Sequence, residues 1–209
     1  DAMENKVEVD EAAFRKKHQL SDLPIIALLP GSRKQEISKM LENMLAMLKH
    51  YPDYQFVIAG APSQEDEFYM QFIKNTSVVL VKNETYNVLS ISHAALVTSG
   101  TATLETALFN VPEVVCYKGN FISYHIAKQI VKLKFISLVN LIMDREVVTE
   151  LIQNDFNKKR LKSELDLILA TKNREQILED YQLLKKRLGG IGASQRTADL
   201  IYKATQENN

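Results

Sequence analysis

The chain has 209 residues, of which 45% are hydrophobic and 25% are charged, so its length suits one large globular domain or two small ones. Its 26 basic and 26 acidic residues cancel, which argues against a non-specific nucleic-acid binder because no basic excess is available to neutralise phosphates. The single cysteine excludes a disulfide within the chain, and the four histidines lack HxxxH or HxH spacing, so no metal site is expected. No apolar run approaches the roughly 18 residues of a membrane span, and no signal peptide is visible. A cytoplasmic setting is therefore expected.

The amino-terminal segment, residues 1–20, reads as a connector with one short helix over 11–18. It opens without an initiator methionine, so we expect the chain to be a piece of a longer protein. The main domain is predicted over residues 21–188. The Gly189-Gly190 pair and Gly192 interrupt the helical pattern, which predicts a hinge and a last helix in residues 189–209.

Five short apolar runs alternate with helical segments in the first half of the main domain. The runs are continuous and rich in β-branched residues, as in strands that are covered on both faces. They cover residues 25–29, 55–59, 78–81, 94–98 and 113–117. This order predicts an α/β fold with a doubly wound parallel sheet, followed by carboxyl-terminal helices. Those helices are predicted over 121–133, 145–153, 157–170, 173–188 and 193–205.

The first strand runs into the loop Pro30-Gly31-Ser32-Arg33 and then into a helix. Glycine permits a close backbone approach, and a helix start offers free N–H groups and a positive dipole end. The guanidinium of Arg33 is suited to bidentate phosphate contact. The loop therefore reads either as half of an anion site or as a plain β–α turn with an exposed arginine.

The fourth strand ends at a run of small residues, Ser99-Gly100-Thr101-Ala102, where a further helix begins. This is again an arrangement that takes phosphate, although neither a GK[ST] nor a GxGxxG motif is present. Glu105 lies one turn into the helix, where a carboxylate can accept hydrogen bonds from a pair of ribose hydroxyls. The alternative interpretation is that Ser99 or Thr101 only caps the helix, without any ligand. Because parallel sheets bind ligands at the carboxyl ends of their strands, the two loops together indicate a nucleotide diphosphate.

The order of these motifs resembles the carboxyl-terminal half of the lipid-A-disaccharide synthases, which are glycosyltransferases of the B-type fold with two Rossmann-like halves. The matching segments are "LLPGSRKQEI" (28–37), "SGTATLETAL" (99–108), "PEVVCYK" (112–118) and "FISLVNLIMDREVVTELIQ" (135–153). A more distant likeness exists to the peptidoglycan glycosyltransferase that adds N-acetylglucosamine to lipid I. That enzyme shares the Ser-Gly loop and a glutamate seven residues before a proline, here Glu105 and Pro112.

The resemblance implies that residues 21–188 bind the donor of a reaction that forms the lipid A disaccharide. In that reaction a UDP-2,3-diacylglucosamine donor reacts with 2,3-diacylglucosamine 1-phosphate and releases UDP. The residues that the resemblance assigns to the pyrophosphate are Gly31, Ser32, Arg33, Ser99, Gly100, Thr101, Ala102 and Thr103. It assigns Glu105 to the ribose and Tyr117 and Lys118 to the neighbourhood of the uracil. Polar positions around the donor are matched by Asn140, Glu150 and Gln153, although Val139 stands where the family often has proline.

The resemblance implies no metal and no cofactor. Arg33 and a helix dipole would stabilise the phosphate charge of the departing UDP, which makes Arg33 the catalytic candidate. The general base and most acceptor contacts belong to the amino-terminal half of the family, so we expect this chain alone to be inactive. The lipid acceptor would then be a partner reached through that missing half.

Two further contacts follow from the same resemblance. The last helix would pack on the missing half or on a partner, and homodimers occur in the family. Helix 121–133 carries Lys128 and Lys132 beside apolar residues, which suits either peripheral contact with the cytoplasmic face of the inner membrane or an ordinary amphipathic helix.

Two other functions compete with this interpretation. A UDP-N-acetylglucosamine 2-epimerase shares the fold and a similar nucleotide site, but its expected carboxylate and histidine motifs are not apparent. A nucleotide-binding module without catalysis would keep Arg33 and Glu105 and would need no acceptor half.

Overall fold

A computed structural model describes residues 9–119, 134–189 and 192–207 of the chain. Within them, six strands form one parallel sheet in the order β3-β2-β1-β4-β5-β6. The strands are β1 (Ile25–Leu29), β2 (Gln55–Gly60), β3 (Val79–Lys82), β4 (Ser92–Thr98), β5 (Glu113–Tyr117) and β6 (Glu150–Ile152). The strand order reverses between β1 and β4, as in Rossmann-type doubly wound sheets. The predicted fold class and the first five strands are therefore confirmed.

Helices connect these strands and follow the sheet. They are α1 (Glu11–Lys17), α2 (Lys34–Leu45), α3 (Asp66–Ile73), α4 (Thr85–Ser90), α5 (Thr101–Leu108), α6 (Leu138–Met143), α7 (Lys158–Leu169), α8 (Thr171–Leu188) and α9 (Ala193–Glu207). The helices predicted at 11–18, 157–170, 173–188 and 193–205 agree with α1, α7, α8 and α9 to within two residues. The helix predicted at 121–133 lies outside the described residues.

The helix predicted over 145–153 is wrong. Residues Glu150–Ile152 form the edge strand β6, which pairs in parallel with β5 from Val115 to Tyr117. The segment contains the β-branched run Val147-Val148-Thr149, which favours an extended backbone once a neighbouring strand is available. A helix does precede it, but earlier, at Leu138–Met143, where Ser137 caps the first turn by accepting from Asn140 N–H.

The sheet is covered by helices on both faces, which explains why most strand residues are apolar whichever face they point to. In β1, Ile26 and Leu28 pack into the layer of α2, α3 and α7, whereas Ile25, Ala27 and Leu29 face the layer of α1 and α4. All five residues of the strand are buried. A third apolar cluster joins α5, α6 and α8 to β5 on the second face. Burial on both faces therefore replaces the alternating pattern of a half-exposed strand.

The register of the central strands determines which loops become neighbours. Leu29 at the end of β1 pairs with Val97, one residue before the end of β4. Ile58 in β2 pairs with Leu28 on the other side of β1. Because all these strands are parallel, the chain segments that leave β1, β2 and β4 emerge side by side at one edge of the sheet.

A buried acid, Glu113, lies at the start of β5. Its side chain is completely buried, and neither carboxyl oxygen has a hydrogen-bond partner among the described residues. Burial raises the pKa of this carboxyl well above its ordinary value of 4.5, so the folded state holds it in the neutral form. Burial also raises the pKa of the nearby Tyr181 hydroxyl, and the Glu113 carboxyl adds to that rise.

We expect Glu113→Gln to stabilise the protein increasingly as pH rises. The unfolded chain releases the Glu113 proton above about pH 4.5, whereas the folded chain keeps it, so the wild type loses up to about 1.4 kcal/mol per pH unit between the two pKa values. Glutamine removes this contribution. Urea unfolding of both proteins from pH 4 to pH 8 measures the difference in unfolding free energy. The exposed Glu175→Gln is the matched control, and a pH-independent difference for Glu113→Gln would contradict the expectation.

Candidate functional site

A cleft of about 260 Å³ opens at the carboxyl ends of β1, β2 and β4, above the start of α5. It brings together seven of the predicted site residues: Gly31, Ser32, Ser99, Gly100, Thr101, Ala102 and Glu105. Glu36, Thr85, Thr98 and the small residues Ala59 and Ala61 complete most of its lining. Two loops that are about 70 positions apart in the sequence therefore share one site.

The first loop depends on Gly31. Its φ of +104° is a backbone conformation that L side chains rarely adopt. A Cβ here would lie 3.0 Å from Glu36 Oε2 and 3.6 Å from Thr98 Cγ2, so a side chain would also crowd the cleft. The next carbonyl, of Ser32, accepts a 2.7 Å hydrogen bond from Gln64 Nε2, which ties the loop to the start of α3.

The second loop depends on Gly100, which stands at the N-cap of α5 with φ +156° and ψ −164°. This backbone region is essentially restricted to glycine. No side chain caps the helix, and no atom lies within 4 Å of the place where a Gly100 Cβ would stand. The first-turn N–H groups of Thr101 and Ala102 are therefore left to an outside acceptor, and the positive end of the helix dipole faces the cleft.

The hydroxyl groups of this loop serve two different purposes. Ser99 Oγ donates to the carbonyl of Ile136 at 3.1 Å, and Thr103 Oγ1 donates to the carbonyl of Gly100 at 2.9 Å. Thr103 is completely buried, and Thr101 is exposed at the mouth of the cleft. Ser99 and Thr103 thus hold the loop in shape, and Thr101 is the hydroxyl that faces solvent.

Arg33 lies at the rim and is not among the residues that line the cleft. Its side chain is 83% exposed, and its Nη1 stands 3.5 Å from Glu36 Oε1. An exposed pair of this length contributes little to stability, so the guanidinium is free to exchange Glu36 for a better anion. Contact between the Arg33 guanidinium and a ligand in the cleft would therefore involve a change in the Arg33 side-chain conformation.

Glu105 projects from α5 into the cleft and contacts one residue of α4. The hydroxyl of Tyr86 lies 3.4 Å from Glu105 Oε1. Burial raises the pKa of Tyr86, and the charge of Glu105 adds to the rise, so the phenol stays protonated and able to donate. Thr85, one residue earlier, also lines the cleft.

Two of the remaining predicted residues serve the scaffold instead of the cleft. Asn140 is completely buried, and its amide makes four hydrogen bonds: to Val148 O, to Glu150 Oε1, and from the N–H groups of Val147 and Val148. The Glu150 carboxylate also accepts from Ile136 N–H and from Ser137. Contact between Asn140 and a ligand would require these bonds to break. Since Ser99 donates to Ile136, this network supports the second loop from behind.

Tyr117, Lys118 and Gln153 lie at the ends of β5 and β6, outside the lining of the cleft. Gln153 has φ +53°, and its backbone N–H donates to Tyr117 O at 2.7 Å. Its side-chain Nε2 is buried without an acceptor among the described residues.

In the described part of the chain, no three histidine, cysteine or acidic side chains come together as metal ligands. None of the described helices has the length and apolar character needed to cross a bilayer.

Several residues of the site escaped sequence reasoning. Glu36, Thr85 and Thr98 line the cleft, although nothing in the sequence singled them out. Gln64 and Tyr86 contact residues that line it, Ser32 and Glu105 respectively, and these contacts form only through tertiary packing. The one usable signal was the run of small residues Ala59-Gly60-Ala61 after the second strand, which resembles the other two strand ends.

Comparisons with known proteins identify the family and the fold of this chain. Residues 1–203 match the family described as lipid-A-disaccharide synthetase. The chain is 36% identical over 199 residues to the lipid-A-disaccharide synthase of Myxococcus xanthus, covering 91% of this chain and 52% of that protein. The chain thus spans about half the length of the curated relatives it matches.

Solved structures share the fold at low sequence identity. The C-terminal domain of the glycosyl transferase LpcC from Francisella tularensis matches with a TM-score of 0.59 and 15% identity, covering 89% of this chain and 95% of that one. The C-terminal CMP-Kdo binding domain of WaaA from Acinetobacter baumannii matches with a TM-score of 0.54 and 17% identity, covering 86% and 96%. The S. aureus MnaA–UDP co-structure matches with a TM-score of 0.50 and 15% identity, covering 80% and 42%.

The fold is therefore that of the C-terminal domain of a B-type glycosyltransferase. With the match over residues 1–203, the chain belongs to the lipid-A-disaccharide synthetase family.

We expect Gly100→Ala to weaken anion binding at the start of α5. Alanine can adopt the Gly100 backbone conformation only with about 1–3 kcal/mol of strain. The loop should therefore shift, and its N–H groups should no longer point to a common acceptor. Titration with pyrophosphate, followed by the amide NMR signals of Thr101 and Ala102, measures the loss. Gly189→Ala, at a glycine with φ +76° outside the cleft, is the matched control. Equal affinities for the wild type and Gly100→Ala would remove this loop from the anion site.

Proposed function

We propose that the cleft binds the UDP part of UDP-2,3-diacylglucosamine and that the chain is the donor-binding half of a glycosyltransferase. The whole enzyme would transfer the sugar to 2,3-diacylglucosamine 1-phosphate, form the lipid A disaccharide and release UDP. The observation that carries the proposal is the uncapped start of α5 at Gly100, which shares one cleft with the Gly31 loop and with Glu105. Family membership supports the transferase over an epimerase.

The diphosphate is proposed to lie between the two glycine loops. On the α5 side, the hydrogen-bond donors are the N–H groups of Thr101 and Ala102 and the hydroxyl of Thr101. Gly31 and Ser32 leave room for the backbone of the first loop to approach the phosphates. Helix N-termini commonly bind phosphates in this way, through free N–H groups and the positive end of the helix dipole.

Glu105 is proposed to accept hydrogen bonds from the ribose hydroxyls. A carboxylate offers about four lone-pair positions on two oxygens, which matches a vicinal diol. Tyr117 and Lys118, at the end of β5, are proposed to lie near the uracil. We assign Asn140 and Glu150 an indirect part, because their hydrogen bonds hold the segment onto which Ser99 docks.

Arg33 is proposed to stabilise the leaving group. As the bond to the sugar breaks, negative charge grows on the phosphate of UDP, and preorganised N–H dipoles with a guanidinium stabilise that charge. The exposed position of Arg33 beside Glu36 allows it to turn towards the phosphates when the donor binds. Glu36 and Glu105 both line the cleft, so the approach of the guanidinium would also offset part of the negative charge there.

The missing half of the enzyme is proposed to supply the general base and the acceptor site. Helix α9 fits contact with such a partner, because Leu200, Ile201 and Tyr202 are each more than 60% exposed. Gly189, in the left-handed conformation at the end of α8, provides a turn before α9. A homodimer through α9 and peripheral contact with the cytoplasmic face of the inner membrane are proposals of the same kind.

We expect Glu105→Ala and Arg33→Ala each to lower UDP affinity, by about tenfold or more for the charge-assisted contacts that are lost. Isothermal calorimetry with UDP, UMP and ADP measures the affinities. Glu175→Ala and Arg160→Ala, which lie on α8 and α7, are matched controls. If UDP is not preferred over ADP, or if neither variant weakens its binding, the donor-site proposal fails.

We expect this chain alone to give no turnover, and its fusion to the amino-terminal half of a family member to form disaccharide with release of UDP. Mass spectrometry of the lipid product measures the reaction. Arg33→Ala in the fused protein should lower kcat, since the guanidinium acts on charge that develops in the transition state. A folded fusion that binds UDP without forming product would favour a non-catalytic nucleotide-binding module.

A further inference from the structure

Tyr86 stands out because it contacts the proposed ribose acceptor from a different element. It is the second residue of α4, and its hydroxyl lies 3.4 Å from Glu105 Oε1. Its ring also packs on Phe109, with ring centroids 5.3 Å apart. Phe109 directly follows the last residue of α5 and is four positions after Glu105, so Tyr86 contacts both the helix and its carboxyl-terminal cap.

Helix α4 is held firmly enough to position this hydroxyl. Val88 and Leu89 on its inner side are buried in the core beneath β1 and β2. At its start, the Glu84 carboxylate accepts from Lys17 Nζ at 2.8 Å and from Asn87 Nδ2 at 3.2 Å. The core therefore holds the helix that carries Tyr86, and the Tyr86 ring itself packs on Phe109.

We infer that Tyr86 is a positioning residue that orients the Glu105 carboxylate for the two ribose hydroxyls and so makes the site selective for ribonucleotides. This inference rests on the proposed function, because it assumes that Glu105 meets the ribose. A hydrogen bond donated by the Tyr86 hydroxyl to Oε1 restricts the rotation of the Glu105 carboxylate. Oε2 and the remaining lone pair of Oε1 are then left for the ligand. Preorganising a flexible side chain in this way reduces the entropy that binding must remove.

In this proposal the Tyr86 hydroxyl donates to Glu105 and does not contact the ligand. Its removal should therefore lower the affinity only of nucleotides that bind to Glu105. We expect Tyr86→Phe to lower UDP affinity by about three- to tenfold, the range that corresponds to immobilising one or two side-chain rotors. The affinity for 2′,3′-dideoxy-UDP, which has no ribose hydroxyls to offer Glu105, should stay within about twofold of the wild type. The ratio of the two affinities is the readout, because a general loss of fold would lower both.

The experiment is calorimetry of the chain with UDP and with 2′,3′-dideoxy-UDP for the wild type, Tyr86→Phe, Glu105→Gln and the double variant. Tyr202→Phe, at an exposed tyrosine on α9, is the matched control. Tyr86→Phe should lower the affinity ratio in the wild-type background and leave it unchanged in the Glu105→Gln background, which double-mutant analysis resolves.

The outcomes separate this inference from the function on which it rests. If Glu105→Gln lowers UDP affinity but Tyr86→Phe leaves the ratio unchanged, or lowers both affinities equally, Tyr86 does not position the carboxylate and the inference is overturned. If Glu105→Gln leaves UDP affinity unchanged, the ribose assignment itself is wrong. A smaller ratio for Tyr86→Phe that disappears in the Glu105→Gln background supports the inference.

Discussion

The parallel pairing of β1 with β4 is the constraint on which the rest of the structure depends. Its register sets Leu29 opposite Val97, so the two strands end at nearly the same level. The Gly31 loop and the Gly100 loop then leave the sheet side by side, although they are far apart in sequence. A shift of this register would separate the loops and turn the apolar residues of β1 towards the wrong helical layer. The site is therefore a consequence of strand pairing as much as of the residues that line it.

The polar groups around the cleft divide into those that shape it and those left for a ligand. Ser99, Thr103 and Gln64 use their donors on main-chain carbonyls and hold the loops. The N–H groups at the start of α5 and the Glu105 carboxylate remain available. The lining includes two carboxylates, Glu36 and Glu105, while the nearby arginine lies at the rim. An anion in the cleft would therefore interact mainly with backbone dipoles, and contact with Arg33 would require that side chain to move towards it.

The strands that could be predicted from the sequence are those whose residues are apolar on both faces. All of β1 and the last five residues of β4 are buried, and such continuous apolar runs are visible in the sequence without any knowledge of the neighbouring strands. β6 was missed because it has three residues and forms only by pairing with β5 at the edge of the sheet. Its preceding β-branched residues, Val147 and Val148, were compatible with an extended backbone, but a short amphipathic segment gives no local reason to prefer strand over helix.

The sequence by itself determined the parallel α/β class, the two glycine loops and the carboxylate of Glu105, because each depends on local backbone chemistry or on hydrophobic periodicity. Only the tertiary structure decided which hydroxyls hold the loop and which face the ligand, since Ser99 finds its acceptor at Ile136, 37 residues away in the chain. The same holds for Asn140, whose four side-chain hydrogen bonds join it to three residues later in the chain, and for Tyr86, which contacts Glu105 from another helix. Hydrogen-bond partners and burial are properties of packing, and packing brings together residues whose spacing in the sequence carries no signal.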